Sequence, residues 1–69
     1  MSGKVYRLTT VVGTSDDSVG DAIRTAVKTA SGSIRNLDWF VVDEIRGSIK
    51  DGDVTEFQVT MNLGFRYDN

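Results

Sequence analysis

The chain has 69 residues and a net charge of −2, and it contains neither cysteine nor histidine. Those absences exclude disulfides, cysteine- or histidine-based zinc sites, and catalysis by Ser-His-Asp or Cys-His groups. Because positive and negative charges are interspersed and no long apolar run occurs, we expect neither a nucleic-acid-binding stripe nor a membrane span.

The small size of the chain itself predicts self-association. Folding buries only about 60% of the surface of so short a chain, and such chains usually rely on disulfides, a metal ion or oligomerisation. Since the first two are missing, we expect a single domain, residues 1–69, that assembles with copies of itself. The N-terminal residues 1–4 lack the apolar core of a secretory signal, so we expect a cytoplasmic protein.

The first half of the chain predicts a strand followed by a helix. Residues 6–12 are rich in β-branched and apolar side chains and stop at Gly13, which indicates a strand. Residues 14–17 carry the hydroxyls and carboxylates that favour a helix N-terminus, and the predicted helix covers residues 17–35. Its apolar residues recur at spacings of three and four and are Val19, Ala22, Ile23, Ala26, Val27, Ala30 and Ile34.

The second half predicts a hairpin of two long strands, residues 37–49 and 54–67. The second strand alternates apolar and polar residues, which is typical of an antiparallel strand that covers a core with one face. Asp51 and Gly52, between the strands, form a favoured two-residue turn. The predicted order is therefore β-α-β-β, an α+β protomer. At about 3.3 Å per residue the strands are too long for one helix to cover.

The two-residue turn predicts a register between the two strands. Three of the predicted pairs are Lys50 with Asp53, Ile45 with Gln58, and Val41 with Asn62. Directly opposed residues share a face, so Phe40 and Val42 are expected on the helix-covered face. Trp39 is then expected on the other face, beside Gly64 and near Gln58 and Asn62. A one-residue bulge would invert this assignment.

Trp39 is the most informative candidate for ligand binding. Away from the helix, an indole can stack on a flat aromatic ligand, and Gln58 offers donors and acceptors to a pyrimidine edge. The alternative for Trp39 is a core or interface tryptophan. The alternative for Gln58 is a polar residue on a solvated strand face. Arg46 fits either a phosphate contact or an ion pair with Glu44 or Glu56. No combination of residues predicts a catalytic centre, so we do not expect an enzyme.

The sequence resembles the dodecins, a family of small flavin-binding proteins. The matching segments are residues 4–6, 12–15, 37–40, 44–47, 57–61 and 64–66. The resemblance implies a three-stranded antiparallel sheet that wraps one helix, and protomers that assemble into a hollow homododecamer. It also implies storage, buffering and photoprotection of FMN or riboflavin rather than catalysis.

The resemblance further implies roles for individual residues. Trp39 would stack on the flavin, Gln58 would hydrogen-bond its ring, Arg46 would lie near the ligand, and Asp38 and Phe40 would shape the pocket. Some bacterial members also bind coenzyme A, for which the candidates are Lys4, Tyr6, Lys28 and Arg66. One alternative is an oligomeric scaffold or coenzyme A-binding protein without a physiological flavin role. Another is a weak nucleic-acid binder that stacks bases on Trp39, which the acidic charge disfavours.

Overall fold

The computed structural model describes residues 3–67 and contains one helix and one sheet. The elements in chain order are β1 (Tyr6–Ser15), α1 (Val19–Ala30), β2 (Leu37–Lys50) and β3 (Asp53–Arg66). The strands form an antiparallel sheet in the order β1-β3-β2, and α1 packs on one face against β1 and β3. The predicted β-α-β-β order and three-stranded antiparallel sheet are therefore confirmed. We call the sheet face away from the helix the outer face.

The core between helix and sheet is small. The buried apolar side chains are Ala22, Ala30, Val59, Met61 and Leu63. The partly buried side chains that pack around them are Val11, Val19, Ile23, Ala26, Val27, Ile34, Leu37 and Val42. Every residue of the predicted apolar stripe belongs to one of these two sets, so the helical spacing in the sequence identified the core-facing residues correctly.

Strand β1 continues through Gly13, where the sequence predicted it would end. A Cβ atom on Gly13 would collide with the Ala22 carbonyl oxygen and would lie 2.9 Å from the Ala26 Cβ. The helix backbone approaches the strand so closely that only a residue without a side chain fits. This glycine therefore marks a close helix–strand contact rather than a turn, and the strand runs on to Ser15.

Helix α1 is shorter at both ends than the predicted residues 17–35. Ser18 caps its N-terminus, because the Ser18 Oγ accepts a hydrogen bond from the Asp21 N–H at 3.0 Å. The helix ends at Ala30, where residues 31–34 form tight turns that satisfy the last carbonyl groups. No helix among residues 3–67 is long and apolar enough to cross a membrane.

The hairpin turn is the predicted one. Asp51 and Gly52 have φ angles of 53° and 77°, the positive values that both central residues of a type I′ turn require. Lys50 and Asp53 lie opposite each other across the turn, as expected. The turn chemistry in the sequence therefore correctly predicted where β2 ends and β3 begins.

Bulges then shift the register of the hairpin and restore it. The first bulge lies at Thr55, next to the turn. Past it Gln58 lies opposite Arg46, so the predicted pair of Ile45 and Gln58 is wrong. Ile45 lies opposite the buried Val59 and therefore faces the helix side, whereas Arg46 shares the outer face with Gln58. A second bulge, at Asp43, restores the predicted register toward the other end of the hairpin.

The protomer is elongated and exposes much apolar surface. Its radius of gyration is 14.5 Å, compared with about 11 Å for a compact domain of this length. Its accessible surface is 5158 Å², compared with roughly 4,300 Å² for a typical monomer of its mass. The hairpin is the cause, since its strands are about 46 Å long and the helix only about 18 Å. The exposed large apolar residues are Val5, Leu8, Val12, Trp39, Phe40, Val41, Ile45, Ile49, Val54 and Tyr67.

Candidate functional site

The indole of Trp39 lies on the outer face, over the backbone of Gly64. The two residues are opposite each other on β2 and β3, as predicted. A Cβ atom on Gly64 would collide with three ring atoms, Cε2, Cζ2 and Cδ2, the last at 2.6 Å. Because these adjacent atoms are all close to one point, the ring covers the backbone with its face. Trp39 remains 43% exposed, which is the arrangement needed to stack on a planar ligand.

Tyr6, on the other edge strand β1, packs against the indole across the central strand, on the same face of the sheet. The ring centroids of Tyr6 and Trp39 are 4.8 Å apart and the rings are inclined by 58°, a tilted aromatic pair. The Tyr6 hydroxyl donates a hydrogen bond to the Asp38 carboxylate. Partial desolvation, this hydrogen bond and the charge of Asp38 raise the pKa of Tyr6, and the Arg66 guanidinium partly opposes the shift. Tyr6, Asp38, Trp39 and Gly64 thus form one cluster, which we call the tryptophan patch.

A row of hydrogen bonds crosses all three strands beside the tryptophan patch. The Thr10 hydroxyl donates to the Asn62 Oδ1 at 2.6 Å, and the Asn62 Nδ2 donates to the Asp43 Oδ2 at 2.7 Å. Asn62 lies on the central strand, opposite Thr10 and Val41. These bonds hold the strands together next to the exposed indole. Sequence reasoning missed this row, because strand alternation places Asn62 on the polar face without indicating its partners.

Arg46 and Gln58 form a second cluster on the outer face, which we call the glutamine patch. They lie opposite each other, and the Gln58 Nε2 donates to the Glu56 Oε1 at 2.9 Å. Gln58 and Gly64 are six residues apart on β3, so about 20 Å of strand separates Gln58 from the indole. That distance exceeds the length of a flavin ring system. The expected proximity of Trp39 and Gln58 within one protomer is therefore wrong.

The other two predicted flavin contacts lie on opposite sides of the sheet. Asp38 belongs to the tryptophan patch through its hydrogen bond with Tyr6. Phe40 lies opposite Leu63 on the helix side, as predicted, and lines a groove there with Val27. Phe40 and Trp39 of one protomer therefore face in opposite directions across the sheet.

The four coenzyme A candidates are only partly brought together. Tyr6 and Arg66 lie opposite each other on β1 and β3, at the edge of the tryptophan patch. Lys4 is exposed just before β1, and Lys28 is exposed in the last turn of α1, on the helix side of the sheet. Within the described part of the chain no group of acidic side chains could hold a metal ion.

Known proteins match the chain along nearly its whole length. The Dodecin family model matches residues 5–68. A dodecin of Thermus thermophilus is 47% identical over 64 residues, which cover 93% of each chain. Among solved structures, dodecin from Streptomyces coelicolor has a TM-score of 0.93 at 52% identity and covers 100% of this chain and 99% of that chain. Dodecin from Streptomyces davaonensis has a TM-score of 0.91 at 48% identity and covers 99% and 100%.

Proposed function

The chain belongs to the dodecin family, and we propose that it binds FMN or riboflavin between copies of itself, in the cytoplasm. It stores, buffers and photoprotects the flavin and does not convert it. The observation that carries this proposal is the indole of Trp39, which covers Gly64 with one face and exposes the other. An isoalloxazine ring is flat and aromatic, and a stacked aromatic pair contributes about 0.5–1.5 kcal/mol beyond its buried area.

Two protomers supply the residues of each flavin site. Trp39 of one copy stacks on the ring, and the glutamine patch of another copy meets the ring edge and the ribityl phosphate. The Gln58 Nε2 donates to Glu56, which leaves the Gln58 Oε1 as an acceptor for the ring N3–H. Arg46, opposite Gln58, is suited to a phosphate because its guanidinium can donate two parallel hydrogen bonds.

The shape of the protomer supports assembly into the hollow homododecamer that the family resemblance implies. At the hairpin tip a mostly apolar groove of about 310 Å³ lies beyond the end of the helix. It is lined by Val19, Ile45, Arg46, Gly47, Ser48, Ile49, Val54 and Phe57. The helix of the same protomer is too short to cover it. A second copy that covers this groove removes apolar surface from water, at about 25 cal/mol per Å².

Photoprotection follows from direct stacking. Trp39 would hold a bound flavin against its indole, which could donate one electron to the excited ring and take the same electron back. The cycle restores both partners and converts the light energy into heat. Because flavin and indole are in van der Waals contact in the proposed site, this cycle competes with emission and with transfer of energy to oxygen.

The proposal is tested by the absorbance spectrum of the protein as purified and by titration of flavin-free protein with FMN and riboflavin. We expect near-ultraviolet and blue flavin bands in the purified protein and loss of flavin fluorescence on binding. A scaffold without a flavin role would show neither. A colourless protein that leaves the fluorescence of both flavins unchanged would contradict the proposal.

Coenzyme A is a second candidate ligand, favoured by one observation. Tyr6 and Arg66 lie opposite each other at the edge of the tryptophan patch, where a guanidinium can bind a phosphate and the aromatic rings can stack on an adenine. Calorimetric titration of coenzyme A into flavin-free and flavin-saturated protein tests this role. Equal affinity in both states indicates a separate site, and competition indicates a site shared with the flavin.

A further inference from the structure

We infer that Tyr6 and Gly64 are positioning residues for Trp39, which hold the indole flat against the sheet before any ligand arrives. The inference deepens the proposed flavin site, on which it rests. It assigns to these two residues a role in ligand affinity, although neither touches the flavin in the arrangement described above. The observations concern the contacts that the indole makes within its own protomer.

Gly64 lies beneath the indole. Its φ angle does not fall in the positive range in which Gly3 and Gly52 lie, so the backbone at this position does not require glycine. What the missing side chain provides is space, because a Cβ atom would collide with the Trp39 ring. Any other residue at position 64 therefore lifts or rotates the indole away from the sheet.

Tyr6 packs against the indole as a tilted aromatic neighbour and is itself held in place. Its ring is 4.8 Å from the Trp39 ring, measured between centroids, and its hydroxyl is bonded to the carboxylate of Asp38. Asp38 directly precedes Trp39, at an irregularity in the register of β2. The hydrogen bond therefore connects β1 to the residue next to the indole, across the central strand, and restricts both rings together.

The consequence is preorganisation of the stacking surface. A side chain that must be immobilised on binding lowers affinity by about twofold to tenfold. An indole fixed by Gly64 and Tyr6 avoids that loss and also presents its face in one orientation. Without either neighbour the ring samples other rotamers, and the fraction of protein that is competent to bind decreases.

The experiment compares Gly64→Ala and Tyr6→Leu with two controls in the assembled full-length protein. Gly20→Ala is the matched glycine control, because a Cβ atom there meets only the end of the Arg24 side chain, at 3.8 Å. Tyr67→Leu is the matched tyrosine control, because the Tyr67 ring lies beneath Arg7 rather than beside Trp39. Trp39 is the only tryptophan, so fluorescence anisotropy and near-ultraviolet circular dichroism report on its indole without labels.

In ligand-free protein we expect faster depolarisation and a weaker dichroic signal from Trp39 in both test variants, with particle size unchanged. Affinity for FMN should fall by about tenfold, which corresponds to roughly 1.4 kcal/mol, while both controls match the wild type. If Gly64→Ala does not fold, Tyr6→Leu decides the question alone. If the wild type binds no flavin, the proposed site fails and the ligand-free indole signals still decide the positioning role. Wild-type anisotropy and dichroism in the folded test variants would overturn the inference.

Discussion

Trp39 and Gln58 lie on the same face of the sheet, but six residues of β3 separate Gln58 from Gly64, the residue that the indole covers. Strand geometry turns this spacing into about 20 Å. The residue that stacks on the flavin and the residue that hydrogen-bonds its ring therefore come from different protomers in the proposed site. In the proposed site, flavin binding therefore requires assembly.

Mixed assemblies test this arrangement. Trp39→Ala and Gln58→Ala should each weaken flavin binding when expressed alone, because each removes one contact from every site. When the two variants are co-expressed, random assortment should restore wild-type contacts in about one quarter of the sites. Fluorescence titration of the mixed particles then shows a high-affinity fraction.

The control is Trp39→Ala expressed alone under the same conditions, which should show no high-affinity fraction. If Trp39 and Gln58 of one protomer served the same ligand, every site in the mixed assembly would lack one contact. Mass spectrometry verifies that the particles contain both variants. If such mixed particles show no high-affinity fraction, a site shared between protomers is contradicted.

Arg46 should discriminate between flavins. Arg46→Ala is expected to lower affinity for FMN by about tenfold to a hundredfold, since hydrogen bonds to charged groups contribute about 1.5–3 kcal/mol. It should leave riboflavin affinity nearly unchanged. Arg24→Ala, which removes an exposed guanidinium from the helix, is the matched control. Equal losses for both flavins in Arg46→Ala would show that Arg46 acts on the ring or on the sheet.

The phenol of Tyr6 should make stability depend on alkaline pH. Its pKa is raised above the ordinary 10.0, so the folded protein favours the protonated form. The resulting contribution to the free energy of unfolding is complete below pH 10 and is lost as pH rises through the raised pKa. Denaturant unfolding between about pH 9 and pH 11 should therefore show a steeper loss for the wild type than for Tyr6→Phe.

Tyr67→Phe is the control for the alkaline experiment and should keep the steeper, wild-type dependence. Absorbance titration of Tyr67→Phe, in which Tyr6 is the one remaining tyrosine, should show a phenol pKa raised above the ordinary 10.0. Parallel pH dependences for wild type and Tyr6→Phe would mean that the hydrogen bond with Asp38 does not contribute to folding.

The elongated protomer should be stable only as part of an assembly. Its exposed groove at the hairpin tip and its excess accessible area predict a large particle with a melting temperature that rises with protein concentration. Ile49→Asp, at a side chain that is 76% exposed in the protomer, should impair assembly. In a protein that is a monomer, a substitution at so exposed a position changes the free energy of unfolding by no more than about 0.5 kcal/mol. Light scattering that shows a stable, folded monomer would contradict this expectation.

The sequence predicted the elements that local chemistry determines. The spacing of apolar residues in the helix and the turn at Asp51 and Gly52 were both confirmed. The helix start was placed too early, because the hydroxyl of Ser15 does not cap the helix. It accepts hydrogen bonds from the Asp17 and Ser18 N–H groups and closes the turn that precedes it.

The sequence could not predict features that depend on contacts between distant residues. The bulge that places Arg46, not Ile45, opposite Gln58 occurs among residues without a bulge signal. Gly13 had the appearance of a strand terminator because its contact, the helix backbone at Ala22, lies outside any local window. The separation of Trp39 from Gln58 is a different case, because the predicted register already implied it and the expected proximity overlooked the length of six strand residues.

Titration of FMN into Trp39→Ala, with thermal unfolding measured alongside, tests the central claim most directly. Removal of the stacking ring should cost about 1–3 kcal/mol of binding, the value for a base stacked on an aromatic side chain, and should abolish most of the fluorescence quenching. The particle should remain assembled, because Trp39 is 43% exposed and lies outside the core. A core tryptophan would instead cost about 3–5 kcal/mol of stability on truncation. Unchanged FMN affinity together with a collapsed assembly would contradict the account.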